Sequence, residues 1–251
     1  MVTTDALVLH AFDYRETSRI VRLLTRELGI VSAIARGARR PRSKFGAALD
    51  LFASGEAQLI TTMGRDLHTL NAFEATKSRP ALAESLDRFA AAAALAELLL
   101  RFAPEQEDPG LLDTVTDALD AIAMAPKGEA EPVALGGAWC LVAELGFAPS
   151  LDECVSCHTA IDPAAPVTFH HRAGGALCGN CARQAPGARL LPPAACDAIR
   201  AWLGRQVPPP LDDPSLRAHQ RLLREFLEEH LTDGGRPLRA VLAWERHEVD
   251  A

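Results

Sequence analysis

Four of the six cysteines in this chain fall into a metal-binding pattern. Cys154-Val155-Ser156-Cys157 and Cys178-Gly179-Asn180-Cys181 are two Cys-x-x-Cys knuckles separated by twenty residues. Spacers of about 15–20 residues let four such thiolates close on one tetrahedral zinc, each at roughly 2.3 Å. Four sulfur ligands leave no position for water or substrate, so the expected role is structural rather than catalytic. A zinc deaminase would need a His/Cys-x-Glu element followed by Pro-Cys-x-x-Cys, and the chain has neither. Cys154-Val155-Ser156-Cys157-His158 also matches Cys-x-x-Cys-His, the c-type haem attachment motif. Haem would leave Cys178 and Cys181 without a role. A disulfide pair is the third alternative, and a reducing cytosol disfavours it.

The second stretch with chemical content is Arg36-Gly37-Ala38-Arg39-Arg40-Pro41-Arg42-Ser43-Lys44-Phe45. Arg36, Arg39, Arg40, Arg42 and Lys44 place five cations within nine residues. Gly37 and Pro41 make this a loop, so the charges project from a surface rather than from one helix face. Loops of this kind contact phosphates, and each neutralised phosphate releases counterions. Phe45 is expected to stack on a base, as aromatics do in single-strand binders. Only 5% of residues are aromatic, which predicts backbone contacts and little sequence preference. Arg217, Arg221 and Arg224 follow helical spacing, and Arg221 with Glu225 and Arg224 with Glu228 read as ordinary i,i+4 pairs on a wet face. The chain has no P-loop, no dinucleotide fingerprint and no nucleophile elbow, so a non-enzyme is expected.

These stretches need elements to hold them. Residues 5–77 read as five short strands. Ala6–His10, Arg19–Leu24, Gly29–Ala35, Glu56–Thr62 and Leu67–Ala75 are separated by turn signals that include Glu27-Leu28-Gly29 and Met63-Gly64-Arg65-Asp66. Five strands in so short a span suit an OB-fold, and an SH3-like barrel has similar strand statistics. After Arg79-Pro80 the period changes from two to 3.6. Leu82, Leu86, Phe89, Ala93, Ala96 and Leu99/Leu100 give one apolar stripe. Asp108-Pro109 opens a helix carrying Leu112, Val115, Leu119 and Ile122. A third helix carries Leu135, Trp139 and Val142 and closes at Gly146. Between the knuckles, Val167–His170, Gly174-Gly175 and Ala176-Leu177 read as a hairpin. Helices follow near 193–206 and 214–232, the second ending at Asp233-Gly234-Gly235, with a short one from Pro237 through Trp244. His219 and His230 lie on an apolar stripe and read as partly buried rather than as ligands. Cys140 and Cys196 read as buried thiols.

The expected class is therefore α+β: an N-terminal barrel over residues 1–78, then a helical domain over 79–251 with a zinc ribbon inserted at about 150–185. The chain has 251 residues, 48% of them apolar, enough for a substantial core. Its net charge of −7 argues against nucleic acid, but the distribution reverses that inference. Residues 1–78 carry eleven Lys/Arg against eight Asp/Glu, while the remainder carries fifteen against twenty-five. A basic module joined to an acidic one suggests nucleic-acid contact on one side. No basic-then-apolar leader opens the chain and no run is long and apolar enough to span a bilayer, so a cytosolic protein is expected.

The order of these features resembles the RecO family of bacterial recombination mediators. Leu7-Val8-Leu9, Tyr14, Glu16, Ser18, Ile20-Val21, Leu23, Thr25, Gly29, Gly37-Ala38-Arg39 and Leu49 to Phe52 are similar to that family's opening barrel. Gly146-Phe147, the knuckles, Phe169 and Gly174-Gly175-Ala176-Leu177 resemble its ribbon, and Gly235-Arg236-Pro237-Leu238 its ending. The resemblance implies an OB-fold, a helical domain with an inserted ribbon, and no enzyme activity. It implies a cytoplasmic, nucleoid-associated protein that binds single- and double-stranded DNA, anneals complementary strands and partners the RecR ring. It also implies contact with the acidic C-terminal tail of single-strand binding protein and, indirectly, loading of RecA recombinase. The family's basic loop falls on Arg36, Arg39, Arg40, Arg42 and Lys44. A zinc-ribbon adaptor that docks other proteins without touching DNA is the alternative function.

Overall fold

Strands form where apolar residues alternate, and their pairing closes a barrel by Lys77. The structure, a computed structural model, describes residues 1–61, 64, 66–104, 107–126, 128–231 and 237–246. The chain divides into two compact units, Met1–Ala125 and Pro126–Ala251. Met63 and Arg65 of the Met63–Asp66 turn, Thr62 at the expected end of the fourth strand, and the Asp233-Gly234-Gly235 helix ending fall outside the described residues.

The first unit holds β1 (Val2–Tyr14), β2 (Ser18–Thr25), β3 (Gly29–Ala35), β4 (Ser54–Ile60) and β5 (Leu67–Lys77). Their order is β1-β2-β3-β5-β4, closed by β4 pairing with β1. Only β3 and β5 run parallel. This is a five-stranded barrel of the OB type. β1 runs well past the expected Ala6–His10, because Val2–Leu7 pair with β4 while Ala6–Tyr14 pair with β2. A bulge between Val8 and His10 bends the strand between these two duties.

The barrel core gathers Ala6, Val8, Val21, Leu23, Val31, Ala33, Leu59 and Phe73. It also takes Phe45 and Leu49 from the segment between β3 and β4. Phe45 is only 3% exposed, so its ring is part of the core, and the expectation that it stacks on a base is overturned. A loop aromatic one turn from an apolar Leu gains more from burial than from exposure.

A short 3₁₀ turn, Pro80–Ala83, leads into α1 (Leu86–Phe102) and α2 (Pro109–Met124). Asp108 caps α2 by accepting from the Leu111 N–H at 3.3 Å, with Pro109 at the first position, as expected. The α1 stripe is rotated from the expected one. Ala91, Leu95, Leu98 and Leu99 are buried, whereas Leu86 is 59% and Phe89 38% exposed. Leu82 belongs to the 3₁₀ turn, so the helical frame begins afresh at Ser85.

The second unit begins with α3 (Ala130–Glu144). Gly146, with φ of +86°, ends it in a Schellman motif in which the Gly146 N–H reaches Ala143 O and the Phe147 N–H reaches Val142 O. Next come β6 (Val167–His170), β7 (Gly175–Leu177), α4 (Gly179–Ala182) and β8 (Arg189–Leu191). β6 is central, with the expected hairpin partner β7 on one side and β8, which the sequence did not reveal, on the other. Gly175 is required there, since a Cβ would lie 2.2 Å from Ser150 O. The unit ends with α5 (Pro193–Leu203), α6 (Asp213–Leu231) and α7 (Arg239–Arg246). Asp212 caps α6, accepting from the Ser215 N–H at 3.0 Å. His219 is buried edge-on against Trp202, and burial lowers its pKa to about 4, so it is neutral in the core. Cys196 is buried as expected, but Cys140 is only partly so.

Candidate metal centre and nucleic-acid interface

The four knuckle cysteines converge. Their sulfurs all lie within 4.8 Å of one another, and Cys157 Sγ is 3.6 Å from Cys178 Sγ. A tetrahedral zinc with bonds of roughly 2.3 Å places its sulfurs about 3.8 Å apart, so the spacing fits one ion. Local backbone bonds build the first knuckle. The Cys154 N–H reaches Thr159 O, the His158 N–H returns to Cys154 O, and the Val155 N–H ties the knuckle to Ala176 O of β7. His158 takes a positive φ of 58° to complete the turn. The second knuckle leaves β7 directly into α4, where the Ala182 N–H bonds Cys178 O.

Electrostatics at the cluster favour a cation. Burial raises the Cys154 thiol pKa, but N–H groups of Cys178, Ser156 and Cys157 outweigh it and bring it down to about 6. The Cys181 N–H leads in lowering the Cys178 pKa. Cys181 goes the other way. A bond from Ser156 lowers its pKa, but the neighbouring cysteines together push it up to about 12. Four sulfurs this close resist ionising together, and a divalent ion at their centre removes that conflict. The donor set can thus hold a metal ion, and a four-thiolate site suits zinc. His158 faces Glu153 at 3.3 Å and is no fifth donor to the cluster.

The basic loop divides by role. Arg39 is tied down. Its N–H bonds Thr17 O at 3.0 Å, its guanidinium reaches Arg15 O at 3.4 Å, and it pairs with Asp13 at 3.3 Å. Asp13 is shared with Arg19 at 3.2 Å. Arg39 therefore docks the loop on the β1–β2 turn. Gly37, at φ of +74°, makes the bend that allows it. Arg36 and Arg40 together line a cleft of about 530 Å³ with Tyr14, Arg15, Ile34 and Thr69. Arg42 and Lys44 are exposed farther along and do not line it. Among the described residues, the side chains of Arg36, Arg40 and Arg42 have no acidic partner, and no carboxylate lines the cleft.

Tyr14 and Arg15 were not singled out as site residues by sequence reasoning. The signal was the alternation His10-Phe12-Tyr14, three rings at every second residue of one strand. The Arg15 guanidinium lies over the Tyr14 ring at 5.2 Å. The stripe Arg217, Arg221 and Arg224 is different in kind. Arg224 binds Glu228 at 2.8 Å as expected and also Glu245 at 2.5 Å. Arg221 faces Glu245 at 3.7 Å rather than Glu225, because Glu225 is occupied by Arg189 at 2.7 Å.

Comparison with known proteins adds a second line of argument. Residues 1–79 match the family model described as Recombination protein O N terminal, and residues 83–239 match Recombination protein O C terminal. The chain is 37% identical over 242 residues to the DNA repair protein RecO of Anaeromyxobacter dehalogenans strain 2CP-C, covering 92% of this chain and 91% of that one. It is 37% identical over 207 residues to the same-named protein of Symbiobacterium thermophilum, covering 81% and 80%. The Myxococcus xanthus protein of that name is 34% identical over 243 residues, covering 94% of each chain.

Proposed function

Since the chain belongs to the recombination protein O family of DNA repair proteins, we propose that it binds DNA through its barrel and anneals complementary single strands. One observation carries this reading most directly: Arg36 and Arg40 converge on a cleft that holds no carboxylate, on the outside of an OB-type barrel. Two complementary strands repel one another through their phosphates, and a protein that screens both lets base pairing drive the reaction. Annealing needs no nucleotide hydrolysis, so this chemistry is binding rather than catalysis. Arg36, Arg40, Arg42 and Lys44 supply the phosphate contacts, while Arg39 holds the loop in place.

The four cysteines hold a structural zinc that folds the ribbon and has no part in the reaction. The family assignment supports partnership with the RecR ring and with the acidic tail of single-strand binding protein, leading to RecA loading in the cytoplasm. It supports a division of the chain in which residues 1–78 bind DNA and residues 79–251 carry the helical domain and ribbon. No helix among the described residues is long and apolar enough to cross a membrane.

The test is annealing of complementary fluorescent oligonucleotides without nucleotide, comparing wild type with Arg36→Ala/Arg40→Ala. The double variant is expected to anneal slowly and to lower the salt slope of DNA binding by up to about 2 units. An unchanged slope would move the DNA surface away from this cleft. A wild type that neither binds nor anneals DNA at low salt would favour the adaptor role.

A further inference from the structure

The barrel's outer face carries more than charge. Strand register places Phe12 opposite Ile20, Ile20 opposite Ile34, Ile34 opposite Thr69, and Thr69 opposite Ile60. Cross-strand partners share a face, so these residues form one band across all five strands. The alternation of burial shows that the band faces outward, since Val21, Ala33 and Ala35 beside it point into the core. Phe12 is 43% and Ile60 45% exposed. Tyr14 lies at one edge of the band, opposite Ser18, and lines the cleft with Arg36 and Arg40. His10, Phe12 and Tyr14 occupy one side of β1, with the His10 and Phe12 rings 5.7 Å apart.

Arg15 adds an independent observation. It holds a φ of +54°, a left-handed conformation that an L-residue with a long side chain adopts at a cost. That conformation accompanies a guanidinium laid over the Tyr14 ring. Backbone strain of this kind clusters where a ligand is gripped.

We propose that Tyr14, backed by Arg15 and continued by Phe12, stacks an unpaired base of single-stranded DNA while Arg36 and Arg40 hold the flanking phosphates. The inference rests on the DNA-binding reading above and adds strand discrimination to it. Phosphates alone are common to single strands and duplexes, whereas only an unpaired base offers its face to a ring. Paired bases are stacked on one another, so the duplex engages the arginines without Tyr14. An annealing surface with this property holds separate strands more tightly than the product, which gives release a direction.

The experiment exploits the fact that Tyr14 is the only tyrosine in the chain. Full-length protein grown with 3-fluorotyrosine gives a single ¹⁹F resonance. That resonance is titrated with a thymidine dodecamer, with a blunt duplex of the same length, and with inorganic phosphate. The expected result is a shift with the single strand, and little change with duplex or phosphate. In parallel, Tyr14→Ala is expected to bind the single strand roughly tenfold more weakly, Tyr14→Phe close to wild type, and both to bind duplex normally. An equal shift with duplex or phosphate overturns the stacking role, as does single-strand binding by Tyr14→Ala at the wild-type level. If Arg36→Ala/Arg40→Ala still loses DNA in that case, the DNA-binding reading survives and only the stacking fails. If wild type binds no DNA at all, both fall. Should Tyr14→Ala fold poorly, the ¹⁹F titration of the otherwise unaltered protein decides alone.

Discussion

Cys154→Ser is expected to strip the second unit of its metal and to unfold the ribbon around it. Cys154 is fully buried, and its sulfur is one of four that lie close enough to share a single ion. The ribbon has little else to hold it. β7 and β8 are three residues each and β6 is four. A small sheet with short strands does not support itself by burial alone. Structural zinc in such modules supplies roughly 10–16 kcal/mol of apparent binding free energy, and that free energy is folding free energy. Loss of one thiolate is expected to forfeit a large part of it. Elemental analysis should find about one zinc per chain in the wild type and far less in the variant. Limited proteolysis should cut the variant between residues 150 and 191, and chelation of the wild type should reproduce both results. Wild-type protein without zinc, or a variant that resists protease as well as its parent, would remove the metal from the account of this fold.

The second large effect is expected from Asp120→Ala in the first unit. The Arg79 side chain is 2% exposed and has a three-part anchorage. It donates to Asp120 Oδ1 at 2.7 Å, to Phe52 O at 2.6 Å and to Ser54 Oγ at 2.9 Å. Lys77 joins the same carboxylate at 2.6 Å. This cluster ties the start of β4 and the end of β5 to α2. It also fixes the far end of the segment whose near end carries the basic loop. Removing Asp120 leaves a buried guanidinium with only neutral acceptors. Breaking a buried pair from one side costs about 3 kcal/mol or more, which corresponds to roughly 10 °C in the melting temperature of the unit. Replacing both partners together, as Arg79→Met/Asp120→Leu, is expected to be milder than the single change. A single variant that melts with the wild type would show that the cluster contributes nothing net.

The same site has a pH signature. Burial opposes ionisation of Asp120, but hydrogen bonds from Lys77 and Arg79 outweigh it and hold its pKa below the usual carboxylate value. A carboxylate lowered on folding stabilises above its unfolded pKa of about 4. That contribution is lost as pH falls through the lower folded value. Acidification below about pH 4 is therefore expected to destabilise wild type more than Asp120→Asn.

What the sequence made legible follows physical lines. The knuckles declared themselves because metal geometry fixes both the residue type and the spacing. The barrel strands showed because one face of each is wet, so period two survives in the letters. The α1 stripe was misplaced because alanine crowds every side of that helix, leaving weak contrast to set the phase. Phe45 was misread because a loop residue carries no periodicity, and only the folded chain shows which way it turns. The place of Tyr14 in the cleft lining was not legible because its facing depends on the bulge between Val8 and His10. One extra residue reverses which positions of a strand point outward. β8 escaped notice because three residues are too few to alternate.

The joint between β3 and β5 has a consequence for how the barrel opens. It consists of three register pairs, Ser32 with Leu67, Ala33 with His68 and Ile34 with Thr69, whereas β2 and β3 share seven. A ring of strands uncurls first at its weakest join, and opening free energies vary across a fold accordingly. Ile34 and Thr69 belong both to this join and to the cleft lining. Closure of the barrel and the shape of the cleft are thus two readings of one equilibrium. Amides along this seam are expected to exchange with deuterium faster than those between β1 and β2, and to slow when single-stranded DNA is bound.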